Sequence, residues 1–233
     1  MSPPVTGISS MATRLVLAEL TAACQAQTGQ RVTIESVGGV LAAQRIQAGE
    51  PFDLVLLAAD AINRLVATGH VHAGSRIDLM CSPVAVAVKA GMPVPDLDNA
   101  ADVRQAILSA PSISLSTGPS GVQLMRQFEA WGITDQIRSR LVQAPPGVPV
   151  GSLVASGEVS LGFQQLSELM HLDGITVAGT LPADMAIITT FCAGLCSTVD
   201  PNGAQADKAR QVLNFLASPQ TAPAKRRHGM EPA

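Results

Sequence analysis

The stretch FDLVLLAA, residues 52–59, decides the fold, because it is an apolar run broken only by Asp53. A continuous apolar run of this length is typical of a parallel strand that helices cover on both faces of its sheet. The next stretch, DAINRLVATGHV, has the apolar spacing of a helix, with Asp60 near its predicted start. The run therefore predicts one strand–helix step of an α/β protein.

The same alternation of strand and helix patterns continues on both sides of this run. Two long β-rich segments, at roughly 80–89 and 185–198, interrupt it without the Gly and Ser of a flexible linker. We interpret them as paired hinge strands that join two lobes, each a mixed sheet flanked by helices. The predicted organisation is a discontinuous first lobe, 1–82 with 190–233, and an inserted second lobe, 83–189.

Composition narrows the class of function. The 233 residues are 47% hydrophobic, 14% charged and 3% aromatic, with a formal net charge of −3. No basic stripe or aromatic platform indicates nucleic-acid binding, and the basic run Lys225–Arg227 is interpreted as the end of a solvated helix. No apolar stretch reaches the roughly 18–20 residues that a membrane-spanning helix needs.

The N-terminal sequence MSPPVTGISS has no charged region followed by a hydrophobic segment, so no signal peptide is visible. We therefore expect a cytoplasmic protein from the sequence as written, and a periplasmic one if a leader precedes it. The four cysteines, at positions 24, 81, 192 and 196, lack the spacing of a metal site and are expected to be buried free thiols. No metal and no cofactor are predicted.

Small or uncharged polar residues follow four predicted strands, where each strand gives way to a helix. They are Ser9 and Ser10, which Met11 follows as a further candidate for ligand binding; Gly38 and Gly39; Thr117, Ser120 and Gly121; and Gln164 and Gln165. Ligands of open α/β sheets bind beyond the carboxyl ends of strands, and uncharged donors with helix N-termini can bind an anion. Helix capping by the serines and tight turns at the glycines are the ordinary alternatives.

The order of these turns resembles the type II periplasmic solute-binding proteins, and within them the periplasmic molybdate-binding protein group. GISSMATRLVLAEL, residues 7–20, matches the first strand, Ser-bearing turn and helix of that group. The most specific piece is the G-x-P-x-D-[LV] step at residues 49–54. GSLVASGEVSLGFQ, residues 151–164, resembles the helix and strand before the last ligand-facing turn. The resemblance extends over nearly the whole chain.

This resemblance implies a two-lobed clamp that closes on a small anion and delivers it to the permease of an ABC-type transporter, or acts as a related sensor. It implies a hydroxyl ligand from Ser9 or Ser10, a small residue at Gly39, and backbone N–H donors from Val148 or Pro149. The group often has a Tyr in the turn that is FQQ here, and this chain has none. The ligand therefore stays open between a molybdate-like oxyanion and a small carboxylate. A monomer is expected.

An enzyme on the same scaffold is the alternative, because aconitate isomerase is similar to this solute-binding family. Moving a double bond in a tricarboxylate needs a general base, and the candidates are His70, His72 and, more weakly, Glu35. It also needs cations, for which the candidates are Arg14, Arg45, Arg76 and Arg126. A transcriptional effector domain is a third possibility, disfavoured by the lack of a helix-turn-helix segment.

Overall fold

The computed structural model describes residues 3–145 and 147–233 and divides the chain into two compact units. The first unit is Met1–Cys81 with Thr190–Ala233, and the second is Ser82–Thr189. The strands are β1 (Val5–Ser10), β2 (Val32–Val37), β3 (Leu54–Ala58), β4 (Ile77–Lys89), β5 (Ile113–Leu115), β6 (Leu161–Gln165), β7 (Ile175–Thr180), β8 (Ile188–Leu195) and β9 (Glu231–Pro232). The α-helices are α1 (Arg14–Thr28), α2 (Gly39–Gln47), α3 (Ala59–Ala67), α4 (Ala100–Ser109), α5 (Pro119–Ala130), α6 (Thr134–Ile137), α7 (Val150–Ser156), α8 (Leu166–Leu169), α9 (Ala204–Ala217) and α10 (Ala222–Arg227).

In the first unit, the strand predicted from FDLVLLAA lies between two layers of helices. Strand β1 pairs in parallel with β2 and with β3, and β3 pairs antiparallel with β8. Leu54 and Leu56 pack with residues of α1 and α9, whereas Val55 and Leu57 pack with residues of α2 and α3. Both faces of β3 are therefore buried, which explains why its sequence is apolar throughout.

The second unit repeats this arrangement. Its part of β4 pairs antiparallel with β6 and with β7, and β5 pairs in parallel with β6. Val84 and Val86 of β4 pack with residues of α4 and α5, whereas Ala85 and Ala87 pack with residues of α7 and α8. Mixed sheets flanked by helices confirm the predicted α/β class.

The sequence predicted that no helix spans a membrane and that the basic run Lys225–Arg227 ends a solvated helix. In the described part of the chain, no helix combines the length and the apolar character needed to cross a membrane. The run Lys225–Arg227 does end α10, but it is not solvated throughout. Arg226 and Arg227 pair with Glu231 and Glu19, whereas Lys225 is 1% exposed and burial lowers its pKa. The prediction of a fully solvated basic end is wrong at Lys225.

The G-x-P-x-D step contains a buried carboxylate that joins three elements of the first unit. Asp53 is 8% exposed, and its Oδ2 accepts hydrogen bonds from the backbone N–H of Thr6 (2.7 Å), the hydroxyl of Thr6 (3.1 Å) and Nε2 of Gln205 (2.9 Å). Thr6 lies in β1, Gln205 lies in α9, and Asp53 immediately precedes β3. The motif is therefore structural, because one carboxylate satisfies donors of neighbouring elements.

Replacing Asp53 is expected to destabilise the first unit. In Asp53→Ala the partly buried N–H and hydroxyl of Thr6 lose this acceptor, while Nε2 of Gln205 keeps its 3.1 Å bond to the carbonyl of Pro4, so the free energy of unfolding falls by about 1–3 kcal/mol. Urea denaturation followed by circular dichroism measures this loss. Asp207→Ala is the control, because Asp207 is exposed and pairs with Arg210 on the surface of α9, so its loss costs less than about 1 kcal/mol. Equal losses for both variants would contradict the structural role of Asp53.

Candidate functional site

The two serines that end β1 have different surroundings. Ser9 Oγ lies 2.8 Å from Oγ of Ser36, its register partner on β2, so this hydroxyl joins the two strands. The hydroxyl of Ser10 is buried and has no hydrogen-bond partner among the described residues. Ser10 precedes the 3-10 turn Met11–Thr13, but its side chain makes no capping bond. The capping interpretation is therefore wrong for Ser10, and its hydroxyl is left for a ligand or for water.

The unpartnered hydroxyl of Ser10 lies beside the start of α2. A Cβ added to Gly39, the first residue of that helix, would lie 3.6 Å from Cβ of Ser10. Gly38 precedes the helix as its N-cap, and Met11, which is partly buried, follows Ser10. The first N–H groups of a helix have no partners inside it and attract negative charge. The structure thus brings Ser10, Gly38 and Gly39 together at the carboxyl ends of β1 and β2, as a first-unit donor set.

In the second unit, two of the predicted turns also meet. The parallel register of β5 and β6 places Leu115 opposite Phe163, and the backbone N–H of Ser116 donates to the Phe163 carbonyl at 3.2 Å. The turn after β5 and the glutamines that end β6 therefore lie at one edge of the sheet. Ser120 is buried and its Oγ lies 2.9 Å from Oγ of Ser116, while Thr117 is exposed.

Gly121 is required by a close approach within this turn. A Cβ at this position would lie 1.8 Å from the carbonyl oxygen of Ser116. We expect Gly121→Ala to reshape the turn and to lower the stability of the second unit by about 2 kcal/mol or more. Fluorescence of Trp131, the single tryptophan, follows urea unfolding of this unit. Gly118→Ala is the matched control, because a Cβ there meets no atom within 4 Å, and an equally large loss for it would contradict the prediction.

The two glutamines at the end of β6, like the two serines at the end of β1, differ in how far their polar atoms are hydrogen-bonded. Gln164 is fully engaged, since its Oε1 accepts from the backbone N–H of Gly151 at 3.0 Å and its Nε2 donates to Glu168 Oε1 at 2.8 Å. Gln165 donates from Nε2 to the hydroxyl of Thr189 at 2.7 Å, and its buried Oε1 has no partner among the described residues. The Thr189 hydroxyl can also donate a hydrogen bond. If the Gln165 amide rotates by 180°, its Oε1 accepts from Thr189 and its NH2 group faces a ligand instead.

The turn before α7 offers fewer backbone donors than the resemblance implies. The N–H of Val148 already donates to the carbonyl of Pro145 at 3.0 Å. Pro149, the N-cap of α7, has no N–H because its nitrogen is part of the ring. The prediction that these two residues offer backbone donors is therefore wrong for the structure, because one donor is used and the other does not exist.

Glu168 is a titratable residue that the interpretation of the sequence missed. It is partly buried on α8, and burial raises the pKa of its carboxyl to about 7. The hydrogen bond from Gln164 lowers this pKa, but by less than burial raises it. Gln164 lies in β6 and Glu168 on α8, so no helical spacing links the two residues, and only the folded structure brings them together. Ser36, also missed, is the register partner of Ser9, which no sequence pattern reveals.

The raised pKa predicts a stability that depends on pH. The ordinary pKa of a glutamate is 4.5, and that of Glu168 in the folded chain is about 7. Between these two pH values the folded chain keeps a proton that the unfolded chain has released. The free energy of unfolding therefore falls as the pH rises through this range. Glu168→Gln removes this penalty, and we expect it to stabilise the second unit by about 2–3 kcal/mol at pH 8 and far less at pH 5. Unfolding followed by Trp131 fluorescence at both pH values measures the difference. An equal effect at both would contradict it.

The predicted histidine bases lie far from the first-unit donor set. Val71, between His70 and His72, bridges to Cys196, and the N–H of His72 donates to the carbonyl of Leu195. Leu195 pairs with Leu54, the first residue of β3, whereas Ser10 lies where β1 ends. Because β1 and β3 run parallel, the two histidines lie at the opposite edge of this sheet.

The remaining candidate base and the cations are engaged elsewhere or exposed. The carboxylate of Glu35 binds Arg45 through two bonds of 2.6 and 2.9 Å, which lowers its pKa and weakens it as a base. Arg45 also binds Glu50, so it is not a spare cation for a ligand. Arg76 pairs with Asp78 at 2.7 Å. Arg14 and Arg126 are exposed on helices.

The cysteines are free, and three of them are buried, while Cys81 is partly exposed. Burial raises the pKa of the thiols of Cys192 and Cys196 to about 12, so both stay protonated at neutral pH. Within residues 3–145 and 147–233, no group of three or more His, Cys, Asp or Glu side chains is placed to hold a metal ion.

The fold and these donor sets define a class of protein. The sequence matches the bacterial extracellular solute-binding proteins over residues 5–231, and the chain belongs to that family. The resemblance to type II periplasmic binding proteins is confirmed.

Individual relatives differ in what they are named for. The chain is 36% identical to an aconitate isomerase from a Pseudomonas species over 188 residues, which cover 81% of this chain and 70% of the relative. Among solved structures, it is similar to the periplasmic molybdate-binding protein of Azotobacter vinelandii, with a TM-score of 0.78 and 21% identity over 97% of this chain and 98% of that one. It is also similar to the sulfate-binding protein SubI of Mycobacterium tuberculosis, with a TM-score of 0.79 and 16% identity over 100% and 88%.

Proposed function

We propose that this chain is a binding protein for a small anion, and that the first-unit donor set supplies part of its ligand shell. The observation that carries the proposal is the buried hydroxyl of Ser10, which has no hydrogen-bond partner within residues 3–145 and 147–233 and lies beside the start of α2. A buried polar group without a partner costs stability unless a ligand or water satisfies it. An anion at this place would accept from the hydroxyl and would also gain from the helix N-terminus.

The second-unit residues Ser120 and Gln165 are proposed as further donors for the ligand. The resemblance implies that one ligand contacts residues of both units, and this stays a prediction. The relatives are named for molybdate, sulfate and aconitate, so the ligand class is proposed as a small oxyanion or carboxylate. Delivery to the permease of an ABC-type transporter is proposed as the role of the binding.

Thermal unfolding with a panel of anions tests the ligand class. The panel contains molybdate, tungstate, sulfate, phosphate, a dicarboxylate and trans-aconitate, each at about 1 mM. A ligand with a Kd near 1 µM stabilises the folded chain by roughly 4 kcal/mol at that concentration. We expect at least one anion to raise the unfolding temperature by several degrees. No shift with any of them would contradict anion binding.

Ser10→Ala tests the residue that carries the proposal. Losing one hydroxyl donor to an anion is expected to weaken binding about 10–100-fold, while stability without ligand is expected to stay the same or to rise, because the hydroxyl has no partner among the described residues. Isothermal titration calorimetry measures the affinity. The matched control is Ser114→Ala, because the buried hydroxyl of Ser114 also finds no partner in the described part of the chain but lies within β5. Unchanged affinity in Ser10→Ala would remove Ser10 from the ligand shell.

An isomerase of an unsaturated tricarboxylate is the second candidate, and the 36% identity to an aconitate isomerase favours it. In this reaction a base takes a proton from one carbon, the double bond moves along by one bond, and a proton returns to the other end of the three-carbon unit. A carboxyl with a pKa of about 7, as at Glu168, suits removing and returning a proton near neutral pH. Incubation with trans-aconitate, followed by ultraviolet absorbance, tests turnover. Binding of trans-aconitate without turnover would leave the binding role alone.

A further inference from the structure

Gln165 and helix α5 share one face of the second-unit sheet. Gln165 is the register partner of Val84 on β4, and residues directly opposite each other on antiparallel strands lie on the same face. Val84 belongs to the same core cluster as Leu124 and Phe128 of α5. The side chain of Gln165 is therefore on the face of the sheet that α5 covers.

Gln165 and the start of α5 also lie at the same edge of that sheet. Strands β5 and β6 run parallel, so the turn after β5 and the end of β6 lie at one edge. Helix α5, of 12 residues, begins at Pro119 directly after this turn, and the first N–H groups of a helix attract an anion. Gln165 is 5% exposed, and its Oε1 has no partner among the described residues. This buried atom is an independent indication of a ligand at the same place.

Two hydroxyls of the turn form a pair whose hydrogen bond can run in either direction. Ser120 is buried in the first turn of α5, and its Oγ lies 2.9 Å from Oγ of Ser116. If Ser116 donates to Ser120, the hydroxyl hydrogen of Ser120 is available to a ligand. If Ser120 donates to Ser116 instead, the oxygen of Ser120 can accept a hydrogen bond from the ligand.

The amide of Gln165 has the same freedom. As the structure shows it, Nε2 donates to the hydroxyl of Thr189 at 2.7 Å, and the buried Oε1 can accept from a ligand. After a rotation by 180° the amide donates to the ligand and accepts from Thr189, because a hydroxyl both donates and accepts. Ser120 and Gln165 thus keep their bonds inside the protein whether they donate to the ligand or accept from it.

We propose that Ser120 and Gln165 bind an oxyanion that carries an O–H as readily as one that is fully ionised. This tolerance rests on the proposed function and extends its ligand class to protonated oxyanions such as hydrogen phosphate. A fixed donor rejects the O–H, since two hydrogens then face each other, and a fixed acceptor rejects an ionised oxygen. Here the hydroxyls of Ser116 and Thr189 let both contacts reverse.

Sulfate and phosphate at pH 8.5 are a matched pair of probes for this tolerance. Both are tetrahedral and carry two negative charges at this pH, but hydrogen phosphate keeps one proton and sulfate keeps none. Isothermal titration calorimetry of the full chain is expected to give two Kd values within about fivefold of each other. A site with fixed donors or a fixed acceptor would separate the two anions by about 100-fold or more.

Two variants test whether Gln165 supplies this freedom. Gln165→Glu fixes the contact, because an ionised carboxylate only accepts, and it is expected to weaken sulfate at least about tenfold more than hydrogen phosphate. Gln123→Glu, an exposed substitution on α5, adds the same charge and is expected to keep the two Kd values within fivefold. The comparison in the unmodified chain needs no variant, so it holds even where Gln165→Glu fails to fold.

The outcomes separate this tolerance from anion binding itself. A larger preference for either anion in the unmodified chain, or equal weakening of both in a folded Gln165→Glu, would overturn the tolerance alone. Binding of neither sulfate nor phosphate, while another anion of the panel raises the unfolding temperature, would also overturn only the tolerance. Binding of no anion in the panel would overturn the proposed function and the tolerance with it.

Discussion

The burial of both faces of each sheet is the constraint on which the rest of the structure depends. Strand β3 packs helices on both sides, and so does the second-unit part of β4, so nearly every position along them is apolar. Polar side chains are costly inside such layers unless they find partners. They concentrate at strand ends, where helix N-termini also lie. The donor sets of this protein follow from that exclusion.

In both units a pair of polar residues ends a strand, and the two members of the pair differ in their hydrogen bonding. Ser9 bonds to Ser36 and Gln164 bonds at both ends of its amide, whereas Ser10 and Gln165 each keep a buried atom that no described residue pairs with. Successive residues of a strand point to opposite faces, so the two members of each pair meet different neighbours. In each unit one member has all its polar atoms engaged or tied to a neighbouring element, and the other keeps one polar atom without a partner in the described part of the chain.

Membership of the solute-binding family fixes the scaffold but not the ligand. Relatives of this chain are named for molybdate, for sulfate and for the isomerisation of aconitate. Function on such a scaffold lies in the particular groups at the strand ends. Here those groups are uncharged, and the carboxyl of Glu168 accepts a hydrogen bond from Gln164 at the end of β6.

The sequence by itself determined the α/β class, the strand of residues 52–59 and the strand-end positions of Ser10, Gly39 and Gln165, because apolar periodicity and strand-to-helix turns are local patterns. It did not identify Ser36, and it could assign hydroxyl and amide roles only by residue type. The family resemblance implied backbone donors at Val148 or Pro149 that the backbone does not supply. Only the tertiary structure decided which hydroxyl and which amide stay unpartnered, that His70 and His72 lie at the far edge of their sheet, and that burial raises the pKa of Glu168. Each of these depends on neighbours distant in the chain, whose positions no local pattern contains.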